Sequence, residues 1–127
     1  MVSVALVASL AGCSDTTGQA RDLAREACTA PAPSAPNFDP DEADPGLLRG
    51  LASSARTRAD VSARAAELDE RWAVLSEAAN LLSAAAERIL EVRLDGGVVA
   101  EELPPEVWDQ IKYASDAFGV ECRGAVD

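Results

Sequence analysis

Within the proline-free stretch from Leu47 to Leu94, apolar residues recur from Val61 to Ile89 at alternating steps of four and three residues. This spacing puts them on one side of a helix, with the a/d rhythm of a coiled coil. The positions are Val61, Ala65, Leu68, Trp72, Leu75, Ala79, Leu82, Ala86 and Ile89. Asp44-Pro45 is a typical helix start, with an N-cap followed by proline, and Gly96 is the expected C′ residue. The whole stretch is therefore predicted to be helical.

This stretch can form one rod or a hairpin. The unbroken rhythm favours a rod, but a single helix over 47–94 would be about 72 Å long, and too little chain remains to cover it. We favour a hairpin with arms at about 45–68 and 70–94, in which Asp69 caps the second arm. A stripe of small residues on the first arm would then pack closely on the second arm. That stripe is Leu48, Ala52, Ala55, Ala59, Ala63 and Ala66.

The flanking segments predict two further helices. Thr16 and Gln19 have the spacing of a capping box before a helix over about 18–29. Prolines make residues 30–45 an extended linker, and residues 98–103 are predicted to be a loop. Pro105 starts a last helix, and Gly119 is expected to end it. The apolar face of this helix is Val107, Ile111, Ala114 and Phe118, with Trp108 beside it.

These elements predict an all-α protein, a small bundle of three or four helices around a central alanine-rich hairpin. Hydrophobic residues make up 48% of the chain, but many of them are alanine, and aromatic residues make up only 4% of the chain. We therefore expect a thin core built from close contacts between helices. Residues 46–127 would form the helical core of a single domain.

Acidic residues cluster in the linker, at Asp39, Asp41, Glu42 and Asp44. A calcium loop is the specific interpretation, but the EF-hand pattern fails, because Gly50 stands where the bidentate glutamate belongs. We favour a solvated acidic turn and expect no metal site.

The N-terminus carries a short apolar run, residues 2–9, followed by Leu10-Ala11-Gly12-Cys13. An apolar run that ends in small residues is typical of an export signal. The four residues resemble the lipobox of bacterial lipoproteins. No Lys or Arg precedes Arg21, and an export signal carries a positive n-region, so we expect translation to start upstream of Met1.

The lipobox resemblance covers residues 1–13 only. It implies a signal peptide over 1–12, a lipid on Cys13 and a mature domain over 13–127, with 13–29 as anchor and first helix. The protein would be anchored on the extracytoplasmic face of the cell membrane. The alternative is an ordinary buried N-terminal helix in which Cys13 is a core thiol.

If Cys13 carries lipid, Cys28 and Cys122 remain as a pair in an oxidising compartment. Their bridge would close a loop of about 95 residues and stabilise the fold by on the order of 4–5 kcal/mol. The alternatives are two free thiols or a bridge to Cys13.

The net charge is −11, which argues against nucleic acid as a partner, because that needs a basic footprint. The domain would also be repelled by an anionic bilayer, so the lipid would be its membrane contact. Lys112 is the only lysine, and with the alanine richness this suggests a high-GC organism such as an actinobacterium.

Histidine is missing from the chain, which removes the commonest general base and metal ligand. Carboxylate pairs such as Glu101-Glu102 carry little information among 22 acidic residues. We expect no catalysis and no cofactor. Tyr113 could ligate haem, although an interfacial tyrosine is the simpler interpretation. Trp72 and Trp108 could contact a partner or ligand, but core positions suit them better.

The expected role is a lipid-anchored interaction module whose partner is an envelope protein with a basic patch. The alternative is a carrier of a small apolar ligand or haem. A carrier predicts an apolar cavity near Trp72, Trp108 or Tyr113, and an interaction module predicts a filled core and an exposed patch. A weak carboxylate enzyme would need acidic residues converging in a cleft. The a/d rhythm also suits a homodimer.

Overall fold

The structure is a computed structural model that describes residues 2–30 and 38–126, with the backbone alone for residues 2–15. No strand occurs in these ranges, so the predicted all-α class is confirmed. The elements are α1 (Val2–Thr29), α2 (Pro45–Leu68), a 3-10 turn (Glu70–Trp72), α3 (Ala73–Leu94), α4 (Val99–Glu102) and α5 (Pro105–Val126).

The central stretch is a hairpin, as predicted, but Asp69 at its corner caps the 3-10 turn rather than the second arm, since α3 begins at Ala73 after Trp72. The Asp69 backbone N–H donates to the Ala65 carbonyl and closes α2. Its side chain accepts a hydrogen bond of 3.0 Å from the Arg71 backbone N–H and starts the 3-10 turn. A short carboxylate competes well for such free N–H groups, so the chain can turn here without glycine or proline.

The outer ends of the hairpin also follow the predicted signals. The Asp44 side chain accepts a hydrogen bond of 2.9 Å from the Gly46 backbone N–H at the start of α2. Gly96, with φ of 80°, follows α3 in the left-handed conformation that favours glycine.

The predicted start of α1 is wrong. The helix runs from Val2 and passes through Thr16 and Gly18 without interruption. No proline interrupts residues 2–29, and one glycine inside a helix costs only about 1 kcal/mol. A capping-box spacing alone therefore does not fix where a helix starts.

The predictions for the C-terminal part fail at two points. α5 does not end at Gly119 but continues to Val126, because Ala114 and Ala125 are buried against the bundle and hold its last turns. The predicted loop over 98–103 contains the short helix α4. The carboxylate of Asp41 caps α4 by accepting from the backbone N–H groups of Val99 at 2.6 Å and Ala100 at 3.1 Å.

The cysteine pair links α1 to α5. Cys28 and Cys122 lie at disulfide distance, with 2.15 Å between the sulfurs and 5.5 Å between the Cα atoms. The predicted pairing is confirmed. Beside it, Arg25 of α1 donates a hydrogen bond of 2.9 Å to the Ala125 carbonyl.

Two buried clusters hold the bundle together. The tryptophan core lies where α1 crosses the hairpin corner and the end of α5, and consists of Ala20, Ala24, Ala65, Trp72, Leu75 and Ala125. The aliphatic core lies at the open end of the hairpin under α4 and consists of Leu48, Ile89, Val92, Val99 and Leu103. The alanines confirm the expected close helix contacts, with one large aromatic ring between them.

Candidate functional site

An apolar groove of about 450 Å³ lies between the two cores, bounded by α2, α3 and α5. Its walls are Leu48, Leu51, Ser54, Ala55 and Arg58 of α2; Ala79, Leu82, Ala85, Ala86 and Ile89 of α3; Ile111, Ser115 and Phe118 of α5; and Phe38. The walls are mainly aliphatic and aromatic, which is the usual chemistry of a small-molecule site.

The groove is open because α1 stops short of it. The carbonyl of Ala30, one residue beyond the end of α1, accepts a hydrogen bond of 2.8 Å from Nη2 of Arg58. α1 therefore ends level with Arg58 and covers only the part of α2 that follows it. Among the described residues, no helix takes its place over Leu48 to Ala55.

The residues of the predicted small-residue stripe on α2 are buried to different degrees. Leu48, Ala52 and Ala59 are buried, while Ala63 and Ala66 are partly buried. Ala55 faces Ala79, Leu82 and Ala86 across the groove instead. Small side chains on both arms leave space there, and the described side chains of α5 and Phe38 border this space without filling it.

Arg58 sits at the end of the groove nearest the tryptophan core. Its guanidinium carbon lies 6.0 Å from the centroid of the Phe118 ring. The Nε atom is buried and has no hydrogen-bond partner among the described residues. A buried donor without a partner costs about 1–3 kcal/mol, so this N–H is available to donate a hydrogen bond to a ligand oxygen.

The groove differs in charge from the rest of the molecule. The chain has 22 acidic and 11 basic residues, yet Arg58 is the only charged residue among the described residues that line the groove. None of the described carboxylates lines it, so the groove does not offer the pair of acidic groups that a carboxylate enzyme needs.

The residues that the sequence singled out lie away from the groove. Trp72 is 1% exposed in the tryptophan core, so it offers no surface to a partner. Trp108 is half-buried against the aliphatic core. Tyr113 is 60% exposed on α5. The apolar cavity expected of a carrier is present, but none of these three residues lines it.

The lipobox positions Leu10, Ala11, Gly12 and Cys13 fall where only the backbone is described, as part of α1. Their side chains lie outside the described residues, as does most of the proline-rich segment, residues 31–37. Phe38 is 42% exposed at the rim of the groove.

Sequence reasoning missed Arg58 as a site residue. Leu48, Leu51, Ala55 and Arg58 are spaced three, four and three residues apart, so they share one face of a helix. An arginine on the apolar face of a predicted helix was the feature of the sequence that could have identified it. The signal is weak in the sequence because α2 also carries Arg49, Arg56 and Arg64, all of them exposed.

The described residues contain no group of three His, Cys, Asp or Glu side chains that could hold a metal ion. The acidic turn has a structural role instead, because Asp41 caps α4 and Arg93 binds the carbonyls of Pro40 and Ala43.

Within the described part of the chain, no helix has the length and apolar character to cross a bilayer. No protein family, curated protein or solved structure matches this chain.

Proposed function

We propose that this protein is a lipid-anchored carrier that holds a small apolar ligand in the groove between α2, α3 and α5. The observation that supports the proposal is the groove itself, about 450 Å³ in volume and lined by leucine, isoleucine, alanine and phenylalanine. Its volume falls in the range of about 300–1,000 Å³ that is typical of small-molecule sites.

The wall chemistry favours an aliphatic ligand over haem. Tyrosine, histidine, cysteine and methionine are the side chains that ligate haem iron, and none of them is among the lining residues. Tyr113, the haem ligand considered from the sequence, is exposed elsewhere on α5. A flexible hydrocarbon chain needs no such ligand and gains about 25 cal/mol for each Å² of apolar surface buried.

The anchor rests on the lipobox resemblance at Leu10-Ala11-Gly12-Cys13. A diacylglyceryl group on Cys13 would supply two chains, enough for stable attachment to a membrane. The carrier would then work at the extracytoplasmic face, next to the bilayer from which an apolar ligand could be drawn.

The groove is tested by calorimetric titration of the full chain with decanol, a neutral single-chain ligand. We expect one site per chain, lost in Ala86→Trp, which places an indole in the groove. The matched control is Ala84→Trp on the exposed side of the same helix, which should bind like the wild type. Failure of the wild type to bind decanol or any other single-chain amphiphile, or unchanged binding by Ala86→Trp, would contradict the proposal.

A second copy of the chain is the competing occupant of the groove. It would show as a dimer by sedimentation that Ala86→Trp converts to a monomer. That result, with no decanol binding at low protein concentration, would replace the carrier with a homodimer.

The anchor is tested separately by the intact mass of the protein from its native membrane fraction. We expect a chain that begins at Cys13 and carries a diacylglyceryl group. An unmodified chain that still contains residues 1–12 would remove the anchor and leave the groove proposal standing.

An envelope-protein partner is the second candidate function. Tyr113 and Val120 lie seven residues apart on α5 and are 60% and 56% exposed, so they share one solvent-facing side. The acidic surface would favour a basic patch on the partner. Cross-linking at Tyr113 in intact cells, with Lys112 as the neighbouring control position, tests this role.

A further inference from the structure

We infer that the ligand carries an anionic head group and that Arg58 binds this head while the apolar chain lies along the groove. This inference rests on the proposed function, because it names the class of ligand for the same site. The ligand is thus a single-chain amphiphile that ends in a carboxylate or a phosphate ester.

The first support is the position of Arg58 at one end of the groove. The lining residues of α2 run from Leu48 to Arg58, which is about 15 Å along a helix. α3 runs antiparallel, so Ala79 lies beside Arg58 and Ile89 lies at the far end. A polar head at Arg58 therefore leaves the full length of apolar wall for the chain.

The second support is the unused hydrogen-bonding capacity of the guanidinium. Nη2 donates to the Ala30 carbonyl at 2.8 Å, which fixes the side chain. Nε is buried without a partner among the described residues. A guanidinium has five N–H donors and no acceptor, so it needs acceptor oxygens, and a carboxylate or phosphate offers two in the matching planar geometry.

The third support is charge complementarity. Arg58 is the single charged residue of the described groove lining, within a chain of net charge −11. The acidic surface repels anions in general, and the groove end is the place where one is attracted. An uncharged ligand would offer the guanidinium weaker acceptors and no opposite charge, and a cationic ligand would add repulsion.

Two kinds of molecule carry this chemistry, a free fatty acid and a lipid phosphate. Both place an anion at the end of an aliphatic chain, and Arg58 can bind either. Decanoate and decyl phosphate represent the two sources, and their relative affinities distinguish them.

The test is calorimetric titration of the full chain with decanoate, decyl phosphate, decanol and decyltrimethylammonium, all below micelle formation. We expect at least one anion to bind the wild type about ten- to a hundredfold more tightly than decanol, because charge-assisted hydrogen bonds are strong. The cationic amphiphile should bind more weakly than decanol.

Variants then assign the preference to Arg58. Arg58→Gln should remove the preference for the anion while decanol still binds. Arg56→Gln is the matched control, because Arg56 lies on the same helix, outside the groove lining, and pairs with Glu87 at 3.1 Å. Arg56→Gln changes the net charge by the same amount as Arg58→Gln and should keep the preference for the anion over decanol. Arg58→Lys should retain part of this preference because the positive charge stays, and lose the rest because lysine lacks the planar guanidinium.

The outcomes separate the two proposals. Equal affinities of decanol and both anions for the wild type would overturn the role of Arg58 and leave the carrier intact. Binding of none of the ligands would overturn the carrier itself. If Arg58→Gln does not fold, the ligand series on the wild type and on Arg58→Lys still decides the matter.

Discussion

Two apolar regions of this bundle are built from similar residues and end in different states. In the tryptophan core, alanines of α1 and α2 bring the helices together around Trp72, and α1 closes the region. In the groove, α2 and α3 again face each other with alanines, at Ala55 and Ala86, but α1 has ended and none of the described residues fills the space. Small residues therefore give a closed interior only where a further helix covers them, and elsewhere they form a cavity.

The tryptophan core depends on the Trp72 ring, so loss of this ring should have the largest effect on stability. Trp72→Ala removes a side chain that is 1% exposed and leaves a cavity that alanine neighbours cannot fill. We expect the free energy of unfolding in urea to fall by about 3–5 kcal/mol. Trp108→Ala, at a half-buried position, should cost less. Equal losses would show that Trp72 does not carry the closed core.

The disulfide closes the same region covalently. Cys28→Ser combined with Cys122→Ser should lower the free energy of unfolding by about 4 kcal/mol, because the bridge spans 94 residues of sequence. Thermal unfolding with and without reductant measures this. Reductant should lower the Tm of the wild type and leave the double variant unchanged. A wild-type Tm that is insensitive to reductant would contradict the pairing.

The same substitution in the two regions should have opposite consequences. Ala24→Leu adds volume where Ala24 is fully buried and should cost about 1–3 kcal/mol by overpacking. Ala86→Leu adds the same volume inside the groove and should leave stability unchanged or raise it by less than about 1 kcal/mol. Urea unfolding of both variants measures the difference, and a comparable loss for Ala86→Leu would mean that the groove is not open.

The cap that Asp41 provides for α4 should contribute less to the free energy of unfolding. Asp41→Ala leaves the backbone N–H groups of Val99 and Ala100 without their acceptor and should cost about 1 kcal/mol. Glu42→Ala, at the exposed neighbouring position, is the control and should be neutral. Protection of the α4 amides from hydrogen exchange should fall in the Asp41 variant alone.

The smallest expected change in stability comes from replacing Gly119, a glycine inside α5. Gly119→Ala adds a methyl group that meets only Arg123 Nη1, at 4.0 Å, and should stabilise by about 0.5–1 kcal/mol through helix propensity. Gly96→Ala, at φ of 80°, should destabilise by about 1 kcal/mol instead. A destabilising Gly119→Ala would mean that α5 is not continuous there.

The sequence predicted those features that depend on local chemistry. Asp69 turns the hairpin, Asp44 caps α2 and Gly96 ends α3, because each acts through its own side chain or backbone angle. Elimination among three cysteines also gave the pairing of Cys28 with Cys122. These predictions needed no knowledge of how the helices pack.

The features that depend on packing were missed. Gly119 was expected to end α5, but the burial of Ala125 on the tryptophan core carries the helix onward. The groove could not be predicted, because its volume depends on where α1 ends relative to α2. Arg58 became a site residue for the same reason, since only the fold shows that its apolar neighbours are left uncovered.

The most direct test of the groove as a binding site is a methyl NMR titration of the wild-type chain with decanoate. We expect the methyl signals of Leu51, Leu82 and Ile89, which line the groove, to shift with saturation. Those of Leu75, buried in the tryptophan core, should stay unchanged. Shifts of Leu75 as large as those of Leu51, or no shifts at all, would contradict the assignment of the groove as the ligand site.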